Sequence, residues 1–307
     1  MNRVAILGGT GFVGTNVRRR LETAGMEVAA FSRTTGCDLR DMPAAWKALD
    51  AFRPTVIVNC AAIVGSVNYV SDFAAEVIDE NMRIIMNTYK IAQQMHDVVV
   101  MNPVANCGYP GVMDVYVEDR FWDGPVHPSV LSYGSTRRMM LSFSECYRRQ
   151  FGVRSVNLIV PNIYGPEDST NPNKTHALNA LVIKFVNAVK HRLPSIEIWG
   201  TGRPVREWLY VRDFAAVVER VISAGDFVPT PVNIAQNSGQ TVKELVDILV
   251  GLTGYGGEIT YNAAYQDGAP RKVMDDARFR ERFPGFSFTD IREGIRETML
   301  YYMSILQ

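Results

Sequence analysis

Val4-Ala-Ile-Leu7 runs without a break into Gly8-Gly-Thr-Gly-Phe-Val-Gly14, and from there into a helical pattern carried by Val17, Leu21 and Ala24. A short apolar run, a glycine-rich turn and an amphipathic segment predict strand, turn and helix in that order. Glycines at 8, 11 and 14 permit a tight turn, a close approach of backbone amides to a pyrophosphate, and close packing of the helix on the strand. The start of the helix adds free N–H groups and partial positive charge. The stretch reads as a dinucleotide-binding turn.

Working outward, the same alternation repeats. Val28-Ala-Ala-Phe31, Thr55-Val-Ile-Val58, Val98-Val-Val-Met101 and Val156-Asn-Leu-Ile-Val160 read as strands, with helical segments near 42–51 and 77–95. Asp41 with Pro43 marks a helix start. Tyr133 to Phe151 places Met139, Met140, Phe143, Cys146 and Tyr147 at helical spacing, as a core-facing or dimer-facing helix does. This pattern predicts a Rossmann-type α/β fold, a doubly wound parallel sheet whose ligand lies beyond the carboxyl ends of its strands.

The Pro- and Asn-rich stretch from Pro161 to Asn173 reads as a loop at a domain junction. Beyond it, helices are predicted near 176–190, 241–253 and 289–304, and strands at Glu197–Trp199 and Glu207–Val211. The expected division is a dinucleotide-binding domain over 1–165, rejoined by 207–233, and a smaller mixed α/β domain from 166–206 and 234–307. No internal repeat or low-complexity tract is present.

Composition sets outer bounds. Of 307 residues, 47% are hydrophobic and 21% charged, and 32 acidic residues balance 32 Lys plus Arg. A net charge of +0 gives no reason to expect nucleic acid or an anionic membrane as partner. No apolar stretch reaches the ~18 residues a membrane span needs, and glycines interrupt the N-terminal apolar run, so it reads as a buried strand rather than a signal peptide. Cys37, Cys60, Cys107 and Cys146 are widely spaced with no Cys-x-x-Cys pair. A cytoplasmic protein with reduced thiols and no structural zinc is expected.

The end of the second strand decides between cofactors. An acidic residue there accepts from a ribose 2′-hydroxyl and repels a 2′-phosphate, whereas this chain has Ser32-Arg33, which favours NADP(H) over NAD(H). Asp38-Leu39 and Asn59-Cys-Ala-Ala62 lie where later loops reach adenine and its ribose.

The chain resembles the extended short-chain dehydrogenase/reductases, and within them the epimerase/reductases of GDP-linked 4-keto-6-deoxyhexoses. The matching pieces run end to end: Gly8 to Gly14, Glu80-Asn81-Met82, Cys107-Gly-Tyr-Pro110, Tyr133, Asn162-Ile-Tyr-Gly-Pro166, Thr175-His176, Trp199-Gly-Thr-Gly-x-Pro-x-Arg-Glu207 and Asp267-Gly-Ala-Pro-Arg-Lys272. The resemblance implies inversion at carbons 3 and 5 with Cys107 as base and His176 as acid, since a 4-keto group acidifies both neighbouring C–H bonds. A thiol pKa of about 8.5 needs only modest nearby positive charge to give thiolate at neutrality. Hydride reduction at carbon 4 then takes its proton from Tyr133, with Arg137 beside it. The resemblance further implies that Thr10, Phe12, Val13, Ala61, Ala62, Pro161, Ile163 and His176 meet the cofactor, as do Tyr133 and Arg137. Asn106, Asn162, Trp199, Arg206, Arg271 and Lys272 are implied to meet a nucleotide-diphosphate sugar, the cations facing its phosphates. Ser66, Val67, Asn68, Pro110 and Gly111 are implied to line the sugar pocket, and helices 77–95 and 133–150 to pair into a homodimer.

Two residues depart from the pattern. Arg137 stands where a lysine is expected; it keeps the charge but not the shape. Ala105 stands where a serine hydroxyl is expected, removing a donor worth about 3 kcal/mol to the reacting oxygen unless Asn106, Asn102 or Ser135 replaces it. Three readings follow: an epimerase/reductase, an epimerase that reduces poorly, and a binding protein derived from the enzyme. The retention of Cys107, Tyr133 and His176 favours the first two.

Overall fold

The structure is a computed structural model describing residues 2–265 and 267–306. Strand β1 (Arg3–Leu7) lies one in from the edge of a six-stranded parallel sheet, with the edge strand β2 (Glu27–Phe31) on one side and β3 (Val56–Asn59), β4 (Val99–Ala105), β5 (Arg154–Val160) and β10 (Val232–Asn233) following on the other. Its continuous apolar sequence follows from burial on both faces. Val4 and Ile6 pack with one buried cluster, which includes Phe214 and Val218, while Ala5 and Leu7 pack with the other, which includes Ile85 and Met140. The period of two along the strand sends alternate side chains to opposite helix layers.

Helices α1 (Phe12–Thr23) and α7 (Val211–Ala224) cover the first face. The second is covered by α2 (Met42–Phe52), α4 (Ala74–Met95) and α5 (Leu131–Phe151), with the short α3 (Val67–Asp72) beside them. The predicted start of α2 is made as its sequence suggests: the Asp41 carboxylate accepts from Ala44 N at 3.1 Å and proline stands in the first turn. Strand order reverses at β1, so the switch point lies between the carboxyl ends of β1 and β3.

The later chain forms a third buried cluster around Leu178, Phe185, Ile198, Leu245 and Ile295. Here α6 (Ala177–Lys190), α8 (Val242–Thr253) and α10 (Ile291–Ile305) pack near the parallel pair β7 (Ser195–Trp199) and β12 (Glu258–Asn262). The short α9 (Ala277–Arg282) packs with the α1 and α7 side of the main sheet through Phe279.

The strand expected at 207–211 is present but shorter, and a separate strand with different partners precedes it. β8 (Val205–Arg206) pairs with β11 (Gln240–Thr241) and β13 (Arg271–Lys272), whereas β9 (Trp208–Tyr210) pairs with β6 (Asn162–Tyr164), and Val211 already opens α7. The break is at Glu207, which is fully buried. Its carboxylate accepts from Gln236 N at 2.5 Å and Met274 N at 2.9 Å, its carbonyl accepts from Asn162 N, and its own N–H donates to Lys272 O. Those bonds satisfy the groups that an unbroken strand would have paired along one ladder. No described helix is long and apolar enough to cross a membrane.

Candidate active site

The glycine turn is shaped by close backbone approach. Gly8 has φ +72°, and a Cβ there would lie 2.8 Å from Ala61 Cα; a Cβ on Gly14 would overlap the Gly8 carbonyl. Gly11 differs, because its added Cβ would meet only Gly8 O at 3.3 Å. Gly11 is exposed and caps α1 without a side-chain bond, so the first N–H groups of the helix remain available beside open backbone. At the end of β2, Thr10 Oγ1 lies 3.0 Å from Ser32 Oγ and 2.9 Å from Thr34 Oγ1, with exposed Arg33 in the same turn. Three hydroxyls and a guanidinium suit a phosphate monoester. These residues fit a dinucleotide that carries a 2′-phosphate.

The Asp38 carboxyl is held down to about 2, chiefly by hydrogen bonds from Arg40 at 2.9 and 2.6 Å. Leu39 is buried, and its carbonyl accepts from Asn87. Ala61 is buried and Ala62 half-buried at the tail of β3, while burial pushes the adjoining Cys60 thiol up to about 12. Cys60 is therefore inert at neutral pH.

Tyr133 stands in the first turn of α5 and Arg137 one turn later on the same face. The Arg137 Cζ lies 4.6 Å from the Tyr133 ring centre, and Nη2 donates to Asn81 Oδ1 at 3.1 Å. Asn81 in turn donates from Nδ2 to Ile63 O and Val77 O. Arg137 is only 2% exposed, so its charge acts in a poorly solvated setting. Burial pushes the Tyr133 phenol up, Arg137 pulls it down, and Cys107 raises it.

Cys107 lies in the single turn that follows β4, packed on α5 where Gly134 has no side chain: a Cβ there would be 2.6 Å from Cys107 O. Burial pushes the Cys107 thiol up, against the pull of Lys272 and Arg137. The expectation of ready thiolate character is thus corrected: two cations are present, but burial outweighs them and the resting group is the thiol. Lys272 is itself buried and brought down to about 8 by that burial, with Cys107 opposing and Arg206 and Arg138 assisting.

Lys272 pairs in register with Arg206 across β13 and β8. Arg271, one residue earlier, is exposed, as the alternation of a strand requires. Asn162 is half-buried, with its Nδ2 donating to Glu207 O at 3.3 Å. Trp199, at the end of β7, stacks on Tyr265 with ring centres 4.4 Å apart and planes within 12°, and Lys184 Nζ stands 5.6 Å from its ring.

Pro161 and Ile163 are buried where the chain leaves β5. The loop beyond them is tied to α1 through Asn16 Nδ2, which donates to Pro166 O at 3.0 Å. His176 precedes α6 and lies over Phe12, ring centres 5.3 Å apart; Val13, next in the chain after Phe12, is half-buried. Its Nδ1 is 3.0 Å from Asp168 Oδ2, an oxygen that also accepts from His176 N and Asn179 Nδ2. Burial pushes Asp168 up, but the bonds and charge of His176, with Asn179, leave its carboxyl below the usual range. An ionised Asp168 fixes the tautomer with hydrogen on Nδ1 and leaves Nε2 to face outward chemistry.

Sequence reasoning missed Asp168, Arg138, Lys184 and Glu207. Arg138 donates to Gly108 O at 2.7 Å and Phe121 O at 3.3 Å, pinning the turn that carries Cys107. Its place one residue after Arg137 was the available signal.

The family model described as the NAD dependent epimerase/dehydratase family matches residues 4–235. The chain belongs to that family. This NAD dependent epimerase/dehydratase family member is 28% identical over 304 residues to a probable GDP-L-fucose synthase 1 of Oryza sativa subsp. japonica, covering 98% of this chain and 92% of the relative. Its fold is shared with a GDP-L-fucose synthetase from Naegleria fowleri bound to NADP, at TM-score 0.89 and 21% identity over 99% of this chain and 93% of that one. It is shared also with a GDP-D-glycero-L-gluco-heptose synthase from Campylobacter jejuni, at TM-score 0.85 and 21% identity over 98% of both chains.

Proposed function

We propose that this family member is an NADPH-dependent epimerase/reductase of a GDP-linked 4-keto-6-deoxyhexose or a close analogue such as a heptose, inverting carbons 3 and 5 and reducing carbon 4. The observation that carries the reading is the meeting of Cys107, Tyr133, Arg137 and Lys272 at the carboxyl edge of the sheet. A thiol with two cations beside it and a phenol under a guanidinium suit proton removal next to a carbonyl and proton delivery to its oxygen. The rice relative and both structural neighbours are described as acting on or making GDP-linked sugars, which supports the nucleotide.

The glycine turn, Ser32, Arg33 and the hydroxyls of Thr10 and Thr34 hold NADP(H). Bound there, NADPH supplies the hydride. Cys107, once ionised, removes the proton on carbon 3 or 5, and Lys272 and Arg137 stabilise the thiolate. His176, once its Nε2 is protonated and with its Nδ1–H held by Asp168, returns the Nε2 proton on the other face. Tyr133 protonates the carbon-4 oxygen, while Arg206 and Lys272 hold the diphosphate. A homodimer through α4 and α5 fits the 39% exposure of both Ile78 and Met139.

The experiment is steady-state oxidation of NADPH and NADH with GDP-4-keto-6-deoxymannose, with products examined by NMR. NADPH is expected to be the better donor, and Arg33→Ala to erase about 10- to 100-fold of its advantage, the worth of one charge-assisted contact. An epimerase that reduces poorly has one feature in its favour, the methyl group of Ala105 where a donor is needed; inverted product without NADPH loss would select it. Neither product nor oxidation, with NADPH bound, would overturn both.

A further inference from the structure

We propose that the side-chain amide of Asn106 is a catalytic hydrogen-bond donor to the sugar oxygen that Tyr133 protonates. The inference rests on the reductase reading above and selects Asn106 from the three side chains that could replace the missing hydroxyl, giving it a catalytic role.

Reduction of a ketone moves negative charge onto oxygen as hydride reaches carbon, and a buried site must offer donors where that charge develops. Tyr133 gives one. Ala105, at the end of β4, gives none. Asn106 follows it directly, is 7% exposed, and has its Nδ2 buried without a partner among the described residues. An unpaired buried amide costs about 1–3 kcal/mol, a cost that an oxygen of the bound sugar would remove.

Its position is right for that partner. Asn106 opens the turn containing Cys107, and that turn is pressed onto the first turns of α5 at Gly134 and Arg137. The other nearby polar groups are spent or turned away. Asn102 Nδ2 donates to Tyr89 Oη at 2.8 Å and Asn157 Oδ1 at 2.9 Å, inside the layer beneath the sheet. Ser132 Oγ donates to Val70 O, and Thr136 Oγ1 to Tyr133 O. Ser135 lies two residues along α5 from Tyr133, about 200° around the helix from it.

The step balances. Hydride brings two electrons to carbon 4, the C=O π pair becomes a lone pair on oxygen, the Tyr133 phenolic proton ends on that oxygen, and solvent reprotonates the tyrosinate. Asn106 keeps its hydrogens and lends a hydrogen bond throughout.

The test compares wild type, Asn106→Ala, the near-isosteric Asn106→Asp, and the double variant Ala105→Ser/Asn106→Ala, using NADPH and GDP-4-keto-6-deoxymannose. NADPH binding by fluorescence reports folding, and deuterium uptake at carbons 3 and 5 reports the steps before reduction. Both single variants are expected to lose about 10²- to 10³-fold in kcat for NADPH oxidation and to slow deuterium uptake as well, because the enolate formed at carbons 3 and 5 places its charge on the same oxygen, while binding NADPH as wild type does. Ala105→Ser is expected to restore a large part of the loss by placing a hydroxyl beside the vacated position. Unchanged kcat in Asn106→Ala, or a double variant no faster than Asn106→Ala, would overturn the role. Wild type that binds NADPH but does not oxidise it would overturn the reductase reading, and the role of Asn106 with it.

Discussion

The guanidinium of Arg137 lies on the ring of Tyr133, 4.6 Å from Cζ to ring centre. Its charge lowers the phenol directly, and Asn81 at 3.1 Å fixes the fork. Arg137→Met is expected to lower kcat for reduction about a hundredfold. A phenol acid works while protonated, so activity falls as pH rises through its pKa; removal of the cation lifts that pKa and moves the alkaline limb to higher pH. Arg137→Lys keeps the charge and is expected to stay within about tenfold of wild type. A pH–rate profile for each variant checks this, and an unshifted alkaline limb in Arg137→Met would remove Arg137 from the chemistry.

Two glycines three residues apart should respond oppositely. Gly14→Ala drives a methyl into the Gly8 carbonyl and is expected to lower stability by about 1–3 kcal/mol or more. Gly11→Ala meets only Gly8 O at 3.3 Å, so its melting temperature should stay near wild type while NADPH affinity falls. Thermal melts beside NADPH titrations separate the two.

The contrast shows what the sequence could tell. The β1–turn–α1 unit was legible because strand, turn and helix are made by neighbours in the chain, and the glycine spacing states its geometry outright. Asp168 was not legible: it sits in a Pro- and Asn-rich stretch where an aspartate usually faces water, and only folding buries it against His176 and Asn179. Glu207 hid for the same reason. It looked like one residue of a continuous strand, and its partners, the amides of Gln236 and Met274, lie far along the chain. The two cations beside Cys107 were foreseeable, but the depth of burial that outweighs them was not.

Asp168 positions His176, and its removal should touch one half of the reaction. Asp168→Asn is expected to slow epimerisation about ten- to a hundredfold through misplacement of the imidazole, with NADPH affinity nearly unchanged. Its depressed carboxyl pKa also adds stability that is present above the ordinary aspartate range and lost as pH falls through the folded value. The variant should therefore lose less stability on acidification than wild type. Separate rates for deuterium exchange and NADPH oxidation, with melts across acid pH, check both parts.

Burial raises the Glu207 carboxyl from 4.5 to about 7. The folded state then binds more protons than the unfolded state between those values, so stability falls as pH rises from 4.5 to 7, by about 3 kcal/mol in all. Glu207→Gln should abolish that slope; at pH 4.5 it should cost about 1–3 kcal/mol, because one of the two buried amides faces an NH₂ group, and that cost should shrink by about 3 kcal/mol by pH 8 as wild type loses stability. Urea unfolding from pH 4.5 to 8 reads both effects, and a slope retained in Glu207→Gln would assign the titration elsewhere.

The central claim is that one site both inverts and reduces, and a single incubation tests it most directly: protein, NADPH and GDP-4-keto-6-deoxymannose in deuterated water, followed by absorbance and by NMR of the product. The account predicts NADPH oxidation with deuterium at carbons 3 and 5, both lost in Cys107→Ser as far as exchange is concerned and in Tyr133→Phe as far as oxidation is concerned, with exchange faster at higher pH because Cys107 rests as a thiol. A product carrying no deuterium, or one whose exchange survives Cys107→Ser undiminished, would contradict it.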